Sequence, residues 1–185
     1  MLYYCYVRLA KILFLASYEQ NFKKTKNSHS HGLSINTKED KIVCKPAGFF
    51  PHFQDSYYRD PSIYLEGAVF KWQDLLEPPT QRFYLFDNMR KDNKVEVKES
   101  KSNNSKYVIH ELARELMFTY SMSMLARYNI LKWKDLMEGK QDNIVWKIEG
   151  YLKTSQSFFP NLIFNEFHGR KYFFYAESRA LLLTI

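Results

Sequence analysis

Met117-Phe118-Thr119-Tyr120-Ser121-Met122-Ser123-Met124-Leu125-Ala126 runs through the third quarter of the chain without a single charge. Just upstream a polar side is still visible. His110, Glu111, Arg114 and Glu115 fall on one helical face, opposite Ile109, Leu112, Ala113 and Leu116. A helix that loses its polar face is an interior helix, because every side of it must be removed from water. Ser121 and Ser123 are small enough to let neighbouring segments approach closely. The spacing predicts a helix over 106–128, with Ser105 as its N-cap, and the rest of the chain wrapped around its second half. The pairs His110/Arg114 and Glu111/Glu115, spaced i, i+4, read as surface pairs worth about 0.2–0.5 kcal/mol each.

Outward from this segment, further helices are expected on both sides. Residues 142–157 start at a capping Asp142, place Val145, Ile148, Tyr151 and Leu152 on one side, and stop before Pro160. A short helix follows from Asn161 to His168, with Gly169 beyond its end. Between the second and third helices, WKDLM forms a short amphipathic segment ending at Gly139. At the N-terminus, residues 2–17 are rich in Leu, Ala and aromatics, and Arg8 and Lys11 share one narrow polar face, so this helix must be covered on most sides. A β-like stretch lies between Lys41 and Phe86: KIVCK, SIYLEG, AVFKW and RFYLF read as short strands, and Trp72–Leu76 as a helical turn. Residues 87–105 carry few large apolar side chains and suit an exposed insert or hairpin. KYFFY reads as a closing strand. The expected fold is α+β, predominantly helical, a single domain over 1–185 with a small antiparallel β element.

The chain has 185 residues, with 15 Phe, 14 Tyr and 3 Trp, which argues for a packed core and against disorder. Two cysteines exclude a zinc ribbon or a disulfide scaffold, and Cys5 and Cys44 read as small buried hydrophobes in a reducing cytoplasm. The net charge is +7, which raises the odds of meeting a polyanion. The densest lysines, Lys23, Lys24 and Lys26, sit in a stretch that reads as a solvated loop. Arg8 and Lys11 interrupt the apolar N-terminus, so it reads as a packed helix and neither a signal peptide nor a membrane span.

Motifs with a chemical mechanism are few. GxSxG, a Walker-type loop, HExxH and GxGxxG are all missing. His29 and His31 form an HxH pair without ligand-spaced carboxylates or thiolates, so no metal is expected. No Arg precedes a His by four to six residues, the arrangement of a HEPN-type ribonuclease. Lys26 to His31 is a weak imitation, since lysine cannot clamp a phosphate in bidentate fashion. Arg170-Lys171-Tyr172-Phe173-Phe174 interleaves cations with rings able to stack on nucleobases, but its alternation reads first as a buried strand.

Six blocks, taken in order, resemble the YaaC-like family of bacterial proteins: YYCYVRLAKILFLA, His31-Gly32-Leu33, GFFPHFQDSY from Gly48, YLEGAVFKWQDLL from Tyr64, SMSMLARYNILKW from Ser121, and FPNLIFNEFHG from Phe159. The resemblance spans nearly the whole chain and is poorest over 87–105. Family members extend further upstream, which implies that Met1 falls inside the domain and that the upstream part is missing here. The resemblance brings no catalytic residues and no cofactor with it. Polar residues inside the matched blocks are the candidates for a site: His31, His52, Asp55, Arg127, Asn161 and Asn165. Arg127 follows the charge-free run, so a buried guanidinium is expected, paired internally (with Asp55 as one partner) or capping its helix. Asn161 also reads as a helix cap after Pro160. The leading functional reading is a cytoplasmic, non-enzymatic protein that acts through a protein partner or as a homo-oligomer, away from membranes. The alternative is an RNA-binding protein or a degenerate HEPN-like ribonuclease.

Overall fold

The computed structural model describes residues 2–22, 30–36, 38–51, 53, 67–76, 94–98, 106–140 and 144–168. Its organising element is the helix that carries the charge-free run 117–126, α2 (Glu111–Tyr128). Leu112, Ala113, Met117, Phe118, Ser121 and Leu125 are wholly buried on it, and Thr119 and Met122 nearly so. Burying a ring such as Phe118 contributes roughly 1.5–3 kcal/mol. The hydroxyls that share this interior are satisfied within the helix. Thr119 Oγ1 donates to the Glu115 carbonyl at 2.7 Å and Ser121 Oγ to that of Met117 at 2.8 Å.

Helix α1 (Leu2–Phe22) packs across both α2 and the long C-terminal helix α4 (Ile144–His168). Tyr6 stacks flat on Phe159, their centroids 4.1 Å apart, and Phe118 meets Tyr151 at 4.0 Å. A short helix, α3 (Ile130–Met137), follows α2 after a single break at Asn129, whose side chain accepts from the Lys132 amide and so caps it. Gly139, at φ 72°, ends α3 with its amide donating to the Leu136 carbonyl.

The β structure is antiparallel throughout. Strands β1 (Leu33–Asn36), β2 (Lys41–Cys44) and β3 (Val69–Lys71) form a sheet in that order, with Ile42 opposite both Ile35 and Phe70. β3 runs into a 3-10 turn at Trp72–Leu75 that buries Trp72 and Leu75 against α2. A second pair joins β4 (Lys94–Lys98) to β5 (Lys106–His110), and β5 leads directly into α2.

The fold is α+β and mainly helical, as the sequence pattern predicts, yet several local expectations are overturned. The helix expected from 106 begins at Glu111, because 106–110 pair with 94–98 as a strand. Arg114 and Glu115 are not surface residues: both are fully buried. The helix expected to stop before Pro160 runs through it to His168. Pro160 and Gln156 are both exposed, so the carbonyl that loses its helical donor faces solvent. Asn161 is therefore inside a helix and caps nothing. Helix α1 is covered on one side only: Tyr4, Cys5, Arg8 and Ile12 form an exposed stripe, and Cys5 is not the buried hydrophobe expected of it. The strands read in SIYLEG, RFYLF and KYFFY, and His29, His52, Asp55 and Lys23 to Lys26, lie outside the described residues. No described helix is long and apolar enough to cross a membrane.

Candidate functional site

The chain at 30–32 is held by backbone before any side chain is placed. The amides of Phe49 and Phe50 donate to the carbonyls of Ser30 and His31 at 2.8 and 3.0 Å, and the Lys45 amide donates to Gly32 at 2.9 Å. Two glycines permit this approach. Gly32 (φ 75°) and Gly48 (φ 126°) lie against each other so closely that a Cβ on Gly48 would sit 2.4 Å from the Gly32 nitrogen. The segments His31-Gly32-Leu33 and Gly48-Phe49-Phe50, distant in sequence, are thereby clasped together, and the His31 ring is aimed at the start of α1.

There it meets tyrosines from two helices. The Tyr3 hydroxyl and His31 Nδ1 are 2.8 Å apart, and the rings of Tyr3, Tyr120 and Tyr4 stand 5.3, 5.7 and 6.1 Å from the imidazole. Tyr3 is itself in edge contact with Tyr120 at 5.3 Å, and Tyr120 donates to the Leu33 carbonyl at 3.1 Å. Burial drives the ionisation of Tyr3 far above the ordinary phenol range, so its proton stays in place. That hydroxyl has no other hydrogen-bond partner among the described residues, so it donates to Nδ1 and leaves the imidazole proton on Nε2. The basicity of His31 is lowered by burial first, then by the positive charges of Lys11 and Arg127.

Arg127, at the end of α2, completes the cluster. It is exposed, not buried, and its partner among the described residues is a phenol. Nη1 donates to the Tyr4 hydroxyl at 2.8 Å, and the guanidinium carbon lies 4.8 Å from the centre of the Tyr4 ring. The α2 helix ends two residues after it enters solvent, so the guanidinium never meets the interior expected for it. Burial, and next the nearby Tyr128 and Tyr4 hydroxyls, raise the ionisation of Tyr120, which places Tyr128 at the same cluster. Lys11 lies over the Phe49 ring at 5.5 Å, one layer behind.

Of the six residues singled out from sequence, His31 and Arg127 are brought to this one site. Asn161 and Asn165 are on α4 and are not among the contacts of His31. Tyr3, Tyr4, Tyr120 and Lys11 were missed. The signal for the first two was the Tyr3-Tyr4 pair at the head of a helix, which periodicity assigns to packing.

Two other polar clusters are structural. In the core, Ser155 donates to Glu115 Oε2 and accepts from the Tyr6 hydroxyl at 2.8 Å. Arg114 Nη2 approaches Glu115 Oε1 at 3.9 Å, and its Nη1 donates to the Leu75 carbonyl at 3.4 Å. At the surface, Asp40 ends the β1–β2 turn at φ 58°, accepts from Trp72 Nε1 at 3.0 Å and Gln73 Nε2 at 3.4 Å, and pairs with Lys132 at 2.5 Å. It ties the three-stranded sheet to α3. Among the described residues no three His, Cys, Asp or Glu side chains converge as metal ligands would.

Fold and site together define a mainly helical α+β protein with a small antiparallel sheet and a tyrosine-lined basic cluster where α1 meets the end of α2. Residues 80–167 match the family model described as YaaC-like Protein, the family that the sequence blocks resemble. The match takes in α2, α3 and α4 up to its last residue, including Arg127 but not His31. No curated protein and no solved structure matches the chain.

Proposed function

We propose that this protein acts, without catalysing a reaction, by binding an acidic protein through the apolar knuckle at the α2–α3 junction. The observation that carries this reading is the exposure of Tyr128, Ile130 and Leu131, at 71%, 68% and 74%, beside residues such as Leu125 and Leu136 that are fully buried. Isolated apolar residues on a surface are ordinary, but three around one helix break form a patch that water solvates poorly. The Asn129 cap holds the knuckle in one conformation, so little ordering would oppose docking. A net charge of +7 disfavours a second copy of the chain and favours a partner with acidic residues framing an apolar anchor. Two free thiols, Cys5 exposed and Cys44 buried, support a reducing cytoplasm as the setting.

The test is capture of partners from the native cells by the wild-type chain and by an Ile130→Ser/Leu131→Ser variant, with recovery measured by mass spectrometry at low and high salt. The expected outcome is an acidic protein retained by the wild type, lost by about tenfold or more in the variant, and weakened but still recovered at high salt, because salt screens the acidic frame and leaves the apolar anchor. Equal recovery by both chains overturns the reading. A second reading, RNA binding, is favoured by one observation: the Arg127 guanidinium lies on the Tyr4 ring beside Tyr128, which is the pairing of cation and aromatic face that single strands use. It differs in its salt dependence, since each released counterion steepens the loss of affinity.

A further inference from the structure

We infer that His31, Arg127 and the Tyr4 ring between them form a binding site for a phosphate group. The cluster gathers nitrogen donors from three segments: the Lys11 ammonium on α1, the neutral His31 imidazole on the clasped strap, and the Arg127 guanidinium on α2. Among the described residues no carboxylate pairs with any of them. Ring packing and backbone hydrogen bonds hold the imidazole near the two cations, with no acidic partner among the described residues.

The donors also suit an oxyanion. With Nδ1 occupied by Tyr3, the proton of His31 sits on Nε2, which has no hydrogen-bond partner among the described residues. Arg127 spends one N–H on Tyr4 and keeps the rest of its fork. The Tyr4 ring separates them, 4.8 Å from the guanidinium carbon and 6.1 Å from the imidazole, so it sets the spacing and forms the floor. A tetrahedral oxyanion offers oxygens in several directions, so it can meet an imidazole N–H with one and the guanidinium edge with two others, a bidentate match that a single-atom halide lacks. Burial first, then the charges of Lys11 and Arg127, lowers the basicity of His31, and the share due to the two cations is repulsion against a third positive charge. An anion would relieve that repulsion, so binding and proton uptake by His31 are linked. This inference stands apart from the apolar knuckle and survives if the knuckle has no partner.

The experiment follows the His31 ring resonances by NMR through pH titrations of the full chain, with chloride, inorganic phosphate or 5′-AMP at matched ionic strength. Phosphate and AMP should raise the His31 midpoint and chloride should not. Binding of AMP about tenfold tighter than inorganic phosphate would identify a nucleotide as the source, and equal affinities would identify free phosphate; either supports the site. Arg127→Gln, at an exposed position where folding is not at stake, should raise the His31 midpoint on its own and weaken phosphate binding about tenfold or more, with Arg127→Lys between. A midpoint that no anion moves, or phosphate binding unchanged in Arg127→Gln, overturns the inference.

Discussion

Ser155 is the residue whose loss is most informative about the core. It sits where α1, α2 and α4 meet, fully buried, and its one proton goes to the Glu115 carboxylate, so the bond with Tyr6 must be donated by the phenol. Ser155→Ala removes both links at once and introduces no bulk. A hydrogen bond to a charged group is worth about 1.5–3 kcal/mol and a neutral one about 0.5–1.5 kcal/mol, so the variant should lose ~2–4 kcal/mol. Domains of this kind have only about 5–15 kcal/mol in total. Each kcal/mol corresponds to roughly 2–4 °C in a chain of this length, so Tm should fall by about 5–12 °C. Equilibrium unfolding in urea gives the free energy, and a cycle with Tyr6→Phe isolates the shared term, which should exceed about 0.5 kcal/mol. A Ser155→Ala protein within about 0.5 kcal/mol of wild type, with an unchanged denaturant slope, would refute the claim that this network holds the three helices in register.

Gly48→Ala places a methyl against the Gly32 backbone at a φ of 126°, and should cost about 2–4 kcal/mol while displacing the His31 resonances; an unmoved His31 would contradict the clasp. Asp40→Ala strands the buried Trp72 N–H and should cost ~2–3 kcal/mol, whereas Asp40→Asn keeps an acceptor and tolerates the left-handed backbone, so its loss, read by urea unfolding, should be about 1 kcal/mol or less. The Cys44 thiol is pushed up to about 12 by burial, so at pH 8 the native chain should give one equivalent with a thiol reagent, from Cys5, and two once unfolded. Because the native state holds that proton more tightly, the associated stability is intact below the ordinary value of 9.0 and declines as pH rises towards 12. His31 works in the opposite sense: its folded value lies below 6.5, so its contribution is present above 6.5 and is lost as pH falls through the folded value, and His31→Gln should flatten that part of the acid limb in thermal melts.

The interior of α2 was legible because charge is missing from a whole run, a signal that needs no knowledge of neighbours. Arg114 and Glu115 were misread for the opposite reason. Charges four residues apart look like a solvated face, and only Leu75 and Ser155, supplied from elsewhere in the chain, reveal that this face is buried. Residues 106–110 carry Tyr107, Val108 and Ile109, a β-favouring trio, but the strand depends on pairing with 94–98, which local propensity does not contain. Pro160 ordinarily ends a helix, and solvent at Gln156 is what lets this one continue. At the candidate site His31 and Arg127 stood out as polar residues in matched blocks. Their meeting over Tyr4 was not readable, because it follows from two glycines that allow one backbone segment to lie on another.

The Glu115–Ser155–Tyr6 network also bears on the order of folding. Ser155 follows Glu115 by 40 residues and Tyr6 precedes Ser155 by 149, so the network closes only when three segments far apart in the chain have met. Contacts of such long sequence separation slow folding, so the closing of α1 and α4 on α2 belongs to its late steps.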